Sequence, residues 1–192
     1  MSTEPIKRQV FFSFEYCKDC WRAAQIRNMG VVDAESTFSD NDWEEVKSKS
    51  DENIKKWIDN QMAMRSCVVV LIGETTATRK WVRYEIQKAY ELNKGLVGIY
   101  IHNLSDNEGN TTSGGQNPFD LIPIVYPEVS IPLSRFVTCY NPVGRNSKEV
   151  YGSIKDNLSS LIENAINNRP PHLDIRCLNH RELLKSILKH MN

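Results

Sequence analysis

The sequence has no excess of charge of either sign. Its 24 lysines and arginines balance 24 aspartates and glutamates over 192 residues. A domain built to grip a duplex carries a basic footprint, so nucleic acid is not expected as a partner. No apolar run approaches the ~20 residues of a membrane-crossing helix. The longest, Cys67 to Ile72, has the length of one strand, and no membrane partner is expected. The opening residues Met1-Ser2-Thr3-Glu4-Pro5 are polar and acidic, where an export signal is basic and then apolar. The expected location is the cytoplasm. Phosphate-binding loops of the GxxxxGK[ST] or GxGxxG type are missing, as is the GxSxG elbow of serine hydrolases. His102, His172, His180 and His190 have no metal-ligand spacing among themselves, so no metal is expected. Cysteine is scarce and odd in number: Cys17, Cys20, Cys67, Cys139 and Cys177. That pattern fits reduced thiols rather than a disulfide framework.

What is present is an ordinary globular composition, 40% hydrophobic and 25% charged, in a chain long enough for one domain and an appendage. Residues 1–169 are expected to form the domain and residues 170–192 a C-terminal helical appendage. Gln9 to Phe14 reads as a buried strand, rich in aromatic and β-branched residues. Helical sequence follows from Lys18 to Asn28, and the stretch from Val31 to Trp43 is irregular. Ser50 has the character of an N-cap, with Asp51 and Glu52 suited to the first turn of a helix. Ile54, Trp57, Ile58 and Met62 supply its period. Cys67 to Ile72 is a continuous apolar run of the kind that suits a parallel strand covered on both faces, with Cys67 a small core hydrophobe. A polar loop from Glu74 to Lys80 leads into a second amphipathic helix, Trp81 to Asn93. Leu96 to Ile101 is another strand.

Strands alternating with helices of this length imply βαβ units, hence an α/β fold with a mostly parallel central sheet and helices on both faces. Residues 103–117 have one apolar member, Leu104, and read as a long loop, either functional or a plain mobile surface segment. Prolines at 118, 123, 127, 132 and 142 break the next stretch, leaving short strands expected at Ile122–Val125 and Arg135–Cys139. Tyr151 to Asn168 is a helix with Ile154, Leu158, Leu161, Ile162, Ala165 and Ile166 along one face. Leu183, Leu184, Ile187 and Leu188 mark a last helix, expected to fold back on the domain, with docking on a partner as the alternative.

In a sheet of this kind ligands sit beyond the carboxyl ends of the strands. That directs attention to Phe14–Cys20, Gly73–Lys80 and the loop after Ile101. On a wheel of about 100° per residue, Trp81, Val82, Ile86, Ala89, Tyr90 and Leu92 form one broad apolar arc. Glu85 is the only charged side chain inside that arc. A buried carboxylate is costly unless paired, hydrogen-bonded or protonated. Either Glu85 is structural, paired with Arg22, Arg79 or Arg83, or it serves chemistry. A single carboxylate does not make a glycosidase pair. It does suffice to stabilise an oxocarbenium-like charge when the leaving group departs readily, as nicotinamide does from a ribosyl cation. Cys17-Lys18-Asp19-Cys20, after a strand and opening a helix, occupies the place of a redox pair, although the motif is short and common by chance. Asp40 and Asp42 could accept a phosphoryl group, but neither follows an evident strand end.

Taken together, the residues resemble a family. Val10-Phe11-Phe12-Ser13-Phe14-Glu15-Tyr16 resembles the opening strand of TIR-like domains. Asp42-Trp43, then Ser50-Asp51 and the Ile-Lys-Lys-Trp-Ile helix, resemble their next element. Cys67 to Lys88 resembles most closely the ThsB-type TIR-like proteins of the bacterial Thoeris antiphage system. Gly98-Ile99-Tyr100-Ile101-His102 and Asn117-Pro118-Phe119-Asp120 continue the likeness, which covers about residues 8–122. The resemblance implies a flavodoxin-like TIR fold and NAD+ processing, with NAD+ as substrate and no separate cofactor. It implies that Glu85 is catalytic and stabilises the ribosyl cation. Phe12, Ser13, Phe14 and Tyr16 would shape the ribose and nicotinamide pocket, with Asp42 and Trp43 closing its other side. Water attack would give ADP-ribose, and attack from within the molecule a cyclic ADP-ribose isomer. That product would act as a diffusible signal to a separate effector, with a phage-derived activator as trigger and a homo-oligomer as an expected assembly. Two rivals remain: a non-enzymatic TIR-type interaction module in which Glu85 is structural, and a base-exchange enzyme using the same glutamate.

Overall fold

The computed structural model describes residues 7–33, 48–125 and 130–171. Four strands form one parallel sheet: β1 (Val10–Ser13), β2 (Cys67–Ile72), β3 (Gly95–Tyr100) and, last in the chain, β6 (Cys139–Tyr140), in the order β1-β2-β3-β6. Among the described residues four α-helices accompany them: α1 (Tyr16–Arg27), α2 (Asp51–Ala63), α3 (Lys80–Glu91) and α4 (Ser147–Asn167). A small antiparallel pair, β4 (Pro123–Val125) and β5 (Ser130–Pro132), stands apart from the main sheet.

Alternation along the strands sends side chains to two separate cores, as a strand period of two requires. Phe11, Val68, Val70, Ile72 and Leu96 pack against Ile54, Ile58 and Met62 of α2 and Val82, Ile86 and Ala89 of α3. Val10, Phe12, Val69, Leu71, Val97 and Ile99 pack against Ala23 and Ile26 of α1 and Ile154, Leu158 and Ile162 of α4. The expected α/β architecture with helices on both faces is therefore observed. β2 is buried at all six positions, which is why its sequence shows no polar alternation. Cys67 belongs to this interior, and burial pushes its thiol up to about 12.

Several local expectations hold. Ser50 caps α2, its hydroxyl accepting from Asn53 N–H at 3.5 Å. Others need correction. α1 starts at Tyr16, two residues earlier than the periodicity suggests. α4 starts at Ser147, one turn ahead of Tyr151, because Asn146 is its N-cap and accepts from Glu149 N–H at 3.0 Å. The strand expected over Arg135–Cys139 is a 3-10 turn at Leu133–Arg135 followed by the two-residue β6. Leu92, placed on the apolar arc of α3, is 41% exposed because the helix ends at Glu91. The irregular stretch before Ser50 lies largely outside the described residues, as do Asp40 and Cys177. So does the last helical sequence, and with it nearly all of the expected appendage. Among the described residues no helix is long and apolar enough to cross a membrane.

Residues 103–117 are not a loose excursion. Leu104 is fully buried, and Thr112 N–H returns to His102 O at 2.9 Å. Arg22, 1% exposed on α1, fastens the segment from below. Its Nε donates to Leu104 O at 2.8 Å, and its Nη2 donates to Asn110 O at 2.9 Å and lies 3.5 Å from Asp106 Oδ2. Its Nη1 donates to Asp19 Oδ1 at 3.1 Å and to Lys18 O at 3.2 Å. A buried guanidinium is tolerable only when its fork of donors is filled in this way. Burial pushes the Asp19 carboxyl up, against the opposing pull of Arg22. Behind this pair the backbone is packed closely. A Cβ on Gly73 would strike the Asp19 carboxylate, and one on Gly115 would strike the Gly73 carbonyl oxygen. The loops after β2 and β3 thus rest directly on each other at the carboxyl edge of the sheet.

Candidate active site

At that edge, where β1 runs into α1 and the loop after β2 runs into α3, lies a cavity of about 310 Å3. Ligand pockets span roughly 300–1,000 Å3, so this is a small one. Phe12, Phe14, Tyr16 and Trp81 give its aromatic walls, and Glu85 reaches it from α3. The Phe14 and Tyr16 rings lie 6.2 Å apart, and Arg27 stacks over Phe14 with its guanidinium carbon 5.8 Å from the ring centre.

Glu85 is 6% exposed. Its helical position directs it at the end of β1, where Ser13 shares the sheet face of Phe11 and so looks toward α3. Ser13 Oγ donates to Glu85 Oε2 at 2.5 Å. None of the three arginines offered as a structural partner reaches the carboxylate. Arg22 is occupied beneath the 103–117 segment, Arg79 pairs with Glu15, and Arg83 Nε donates to Ala77 O at 3.0 Å. Buried, and with no paired cation among the described residues, the carboxyl is pushed up to about 8 from the usual 4.5, burial outweighing the lowering effect of the Ser13 hydrogen bond. A buried acid in that state at a cavity wall gains from a positive charge brought by a ligand.

The mouth carries a second acid. Glu15, 6% exposed, accepts from the Thr75 hydroxyl and is paired with Arg79. Lys80 lies beside it, its ammonium 4.7 Å from the Trp81 ring centre and paired with Asp51 of α2. The loop that brings these groups here is held by Thr76. Its hydroxyl accepts from Gly73 N–H at 2.9 Å and donates to Leu71 O at 3.3 Å.

Of the residues singled out in the sequence, Phe12, Phe14, Tyr16 and Glu85 line this one cavity. Ser13 stands behind it, in contact with Glu85. Asp42 and Trp43 lie outside the described residues. Trp81, Glu15 and Lys80 were not singled out as site residues and also line the cavity, as does Arg79, which was considered only as a structural partner of Glu85. Trp81 carried a legible signal, since it stands four residues before Glu85 and shares its helix face. Glu15 and Arg79 carried none, because their pairing joins two separate loops. Cys17 and Cys20 are free thiols, Cys17 exposed at the cavity rim. Among the described residues no three metal-ligating side chains come together.

Comparison with known proteins bears on this geometry. The family model described as "Thoeris protein ThsB, TIR-like domain" matches residues 11–106, half of the chain. The match takes in β1, α1, β2, α3 and β3, and hence every described cavity residue named above. A protein of Bacillus cereus (strain MSX-D12) named "Putative cyclic ADP-D-ribose synthase ThsB1" is 38% identical over 125 residues, which is 62% of this chain and 65% of that protein. The matched region therefore spans just under two thirds of the relative's length. By the extent of the family match, with the fold and the strand-edge cavity in agreement, this chain belongs to the ThsB family of TIR-like domain proteins.

Proposed function

We propose that the chain cleaves NAD+ at the bond between nicotinamide and ribose and that Glu85 is the catalytic residue. The observation that carries this reading is a buried carboxyl, bonded only to a serine hydroxyl among the described residues, at the wall of an aromatic cavity. The shift of Glu85 from 4.5 to about 8 corresponds to about 5 kcal/mol, at ~1.36 kcal/mol per pH unit. A unit positive charge at ~4 Å supplies about 4 kcal/mol in a medium of effective dielectric 20. A nicotinamide ribosyl cation therefore offsets most of the cost of ionising Glu85, and Glu85 in turn stabilises the cation. The substrate enters carrying that charge on its pyridinium ring.

As the glycosidic bond breaks, its electron pair moves to the ring nitrogen and nicotinamide leaves neutral. Positive charge then shifts to the ribose C1 and its ring oxygen. Glu85, fixed by Ser13, faces that charge without having to reorganise. The aromatic walls hold the flat nicotinamide ring. Capture of the ribosyl cation by water releases a proton and gives ADP-ribose. Capture by a nucleophilic group of the same molecule releases a proton and gives a cyclic isomer. The name of the Bacillus cereus relative favours the cyclic product. In this reading the product is a diffusible signal to a separate effector, made when infection supplies the trigger.

The test is product analysis. The full-length chain is incubated with NAD+, alone and with lysate from infected cells, and nicotinamide and ADP-ribose isomers are resolved by mass spectrometry. Nicotinamide release that falls at least 100-fold in Glu85→Gln is expected, the scale of losing an electrostatic stabiliser. Release that persists in the variant, or is absent from the wild type under both conditions, rejects the reading.

A further inference from the structure

The cavity, of about 310 Å3, is lined by Glu85 and the aromatic residues together with two cations. With the nicotinamide ribosyl group placed against Glu85, which is buried, the phosphates of a nicotinamide dinucleotide fall toward the exposed mouth. Two cations stand there. Arg79 and Lys80 both line the opening, with side chains 45% and 61% exposed. Arg79 is held by Glu15 and by Thr75, whose Oγ1 lies 3.3 Å from its Nη2. Lys80 is held between Asp51 and the Trp81 ring. These are the first residues of α3 and its N-cap. No side chain caps this helix start, and its first turn holds no acidic residue of its own; the carboxylates beside it, Glu15 and Asp51, are those that hold the two cations.

We propose that Arg79 and Lys80 recognise the pyrophosphate of the substrate, so that the chain selects a phosphate-bearing nicotinamide ribosyl compound over the bare nucleoside. This deepens the NAD+ reading above and rests on it. Arg79 presents a planar fork suited to bidentate phosphate contact, and Lys80 a point charge beside it. The carboxylates of Glu15 and Asp51 hold both cations in place while the site is empty. On binding, the cations share those carboxylates with the phosphates, and Glu15 keeps its Thr75 hydroxyl bond. Selection is thus divided by depth: the aromatic walls and Glu85 act on the reacting end, and the mouth reads the diphosphate.

The experiment uses ADP-ribose, which carries the pyrophosphate and lacks nicotinamide, with adenosine as the phosphate-free control. Calorimetric affinity is measured for the full-length wild type, for Arg79→Ala/Lys80→Ala, and for the charge-balanced Glu15→Gln/Arg79→Gln. The first variant is expected to lose at least about 100-fold for ADP-ribose, roughly tenfold per charged contact, with adenosine affinity unchanged. The second is expected to lose about tenfold, which separates loss of the cation from an unpaired Glu15. Wild-type affinity should also fall as salt rises. ADP-ribose binding that is absent from the wild type, or equal in wild type and both variants, overturns the proposal. Nicotinamide release from NAD+, measured on the same preparations, separates that failure from failure of the catalytic reading.

Discussion

Ser13 Oγ and Glu85 Oε2, 72 residues apart in sequence, meet at 2.5 Å across the seam between β1 and α3. The serine comes from a strand end and the glutamate from a helix face, and each is fixed by the core behind it. The hydrogen bond favours the ionised carboxylate, while burial favours the neutral acid.

Replacing Ser13 by alanine removes the force that opposes burial. A hydrogen bond to a charged group is worth ~1.5–3 kcal/mol, so the Glu85 carboxyl should rise by about one pH unit or more. In the proposed mechanism the active form is the carboxylate. At pH 7 the rate of nicotinamide release should therefore fall about tenfold and recover partly at pH 9. A loss that is equal at both pH values would show that Ser13 acts in another way.

The pH dependence of the wild type follows from the same group. With a free-protein value of about 8, kcat/KM should rise with pH and level off above that value, since it reports the free enzyme. Binding of a cationic substrate favours the carboxylate, so the corresponding limb of kcat should lie at lower pH. Steady-state kinetics between pH 6 and pH 9.5 would measure both.

Stability should run in the opposite direction to activity. The fold holds a proton on Glu85 that the unfolded chain releases near 4.5. By linkage, the Glu85 contribution is greatest below about pH 4.5, declines as pH rises, and is fully lost above about pH 8. Glu85→Gln keeps the shape and cannot ionise. Its Tm should exceed that of the wild type by several degrees at pH 9 and match it near pH 5. A structural ion pair would predict the reverse, a variant less stable than the wild type at pH 9. Differential scanning calorimetry at the two pH values decides between them.

Arg22 supports a prediction away from the cavity. Arg22→Met takes from the Asp19 carboxyl and the Leu104 carbonyl the donors that Arg22 supplies, and leaves the Asn110 carbonyl with the Asp106 N–H alone. Breaking a buried pair from one side costs ~3–5 kcal/mol, equivalent to a fall in Tm of about 6–20 °C for a chain of this size. Hydrogen exchange should rise first at Leu104 and Thr112, whose amides tie this segment to the carbonyls of Ile101 and His102 just before it.

The parts of this molecule written in local pattern were legible in the sequence. β2 is announced by six consecutive apolar residues, α2 by Ser50 and its acidic first turn, and Glu85 by being the single charge on an apolar arc. The start of α4 was also written, in Asn146 and Glu149 three residues on, but it was obscured by the stronger hydrophobic period beginning further along. β5 and β6 were illegible because two- and three-residue strands have no period to detect. The mouth of the cavity was hidden for another reason. Glu15 and Arg79 are unremarkable charged residues until the sheet brings the ends of β1 and β2 together.

The grip of Arg22 on residues 103–117 falls mainly on main-chain oxygens, those of Leu104 and Asn110. Such an anchor is indifferent to most of the letters it fastens. Apart from buried Leu104, the turn-forming Asp106 and Gly109, Gly115 against Gly73, and Asn117, whose side chain accepts from Phe119 N–H, the segment can exchange its outward side chains without slackening its path. Beside the aromatic cavity, the fold thus keeps a surface whose chemistry can be rewritten at little cost to the architecture beneath.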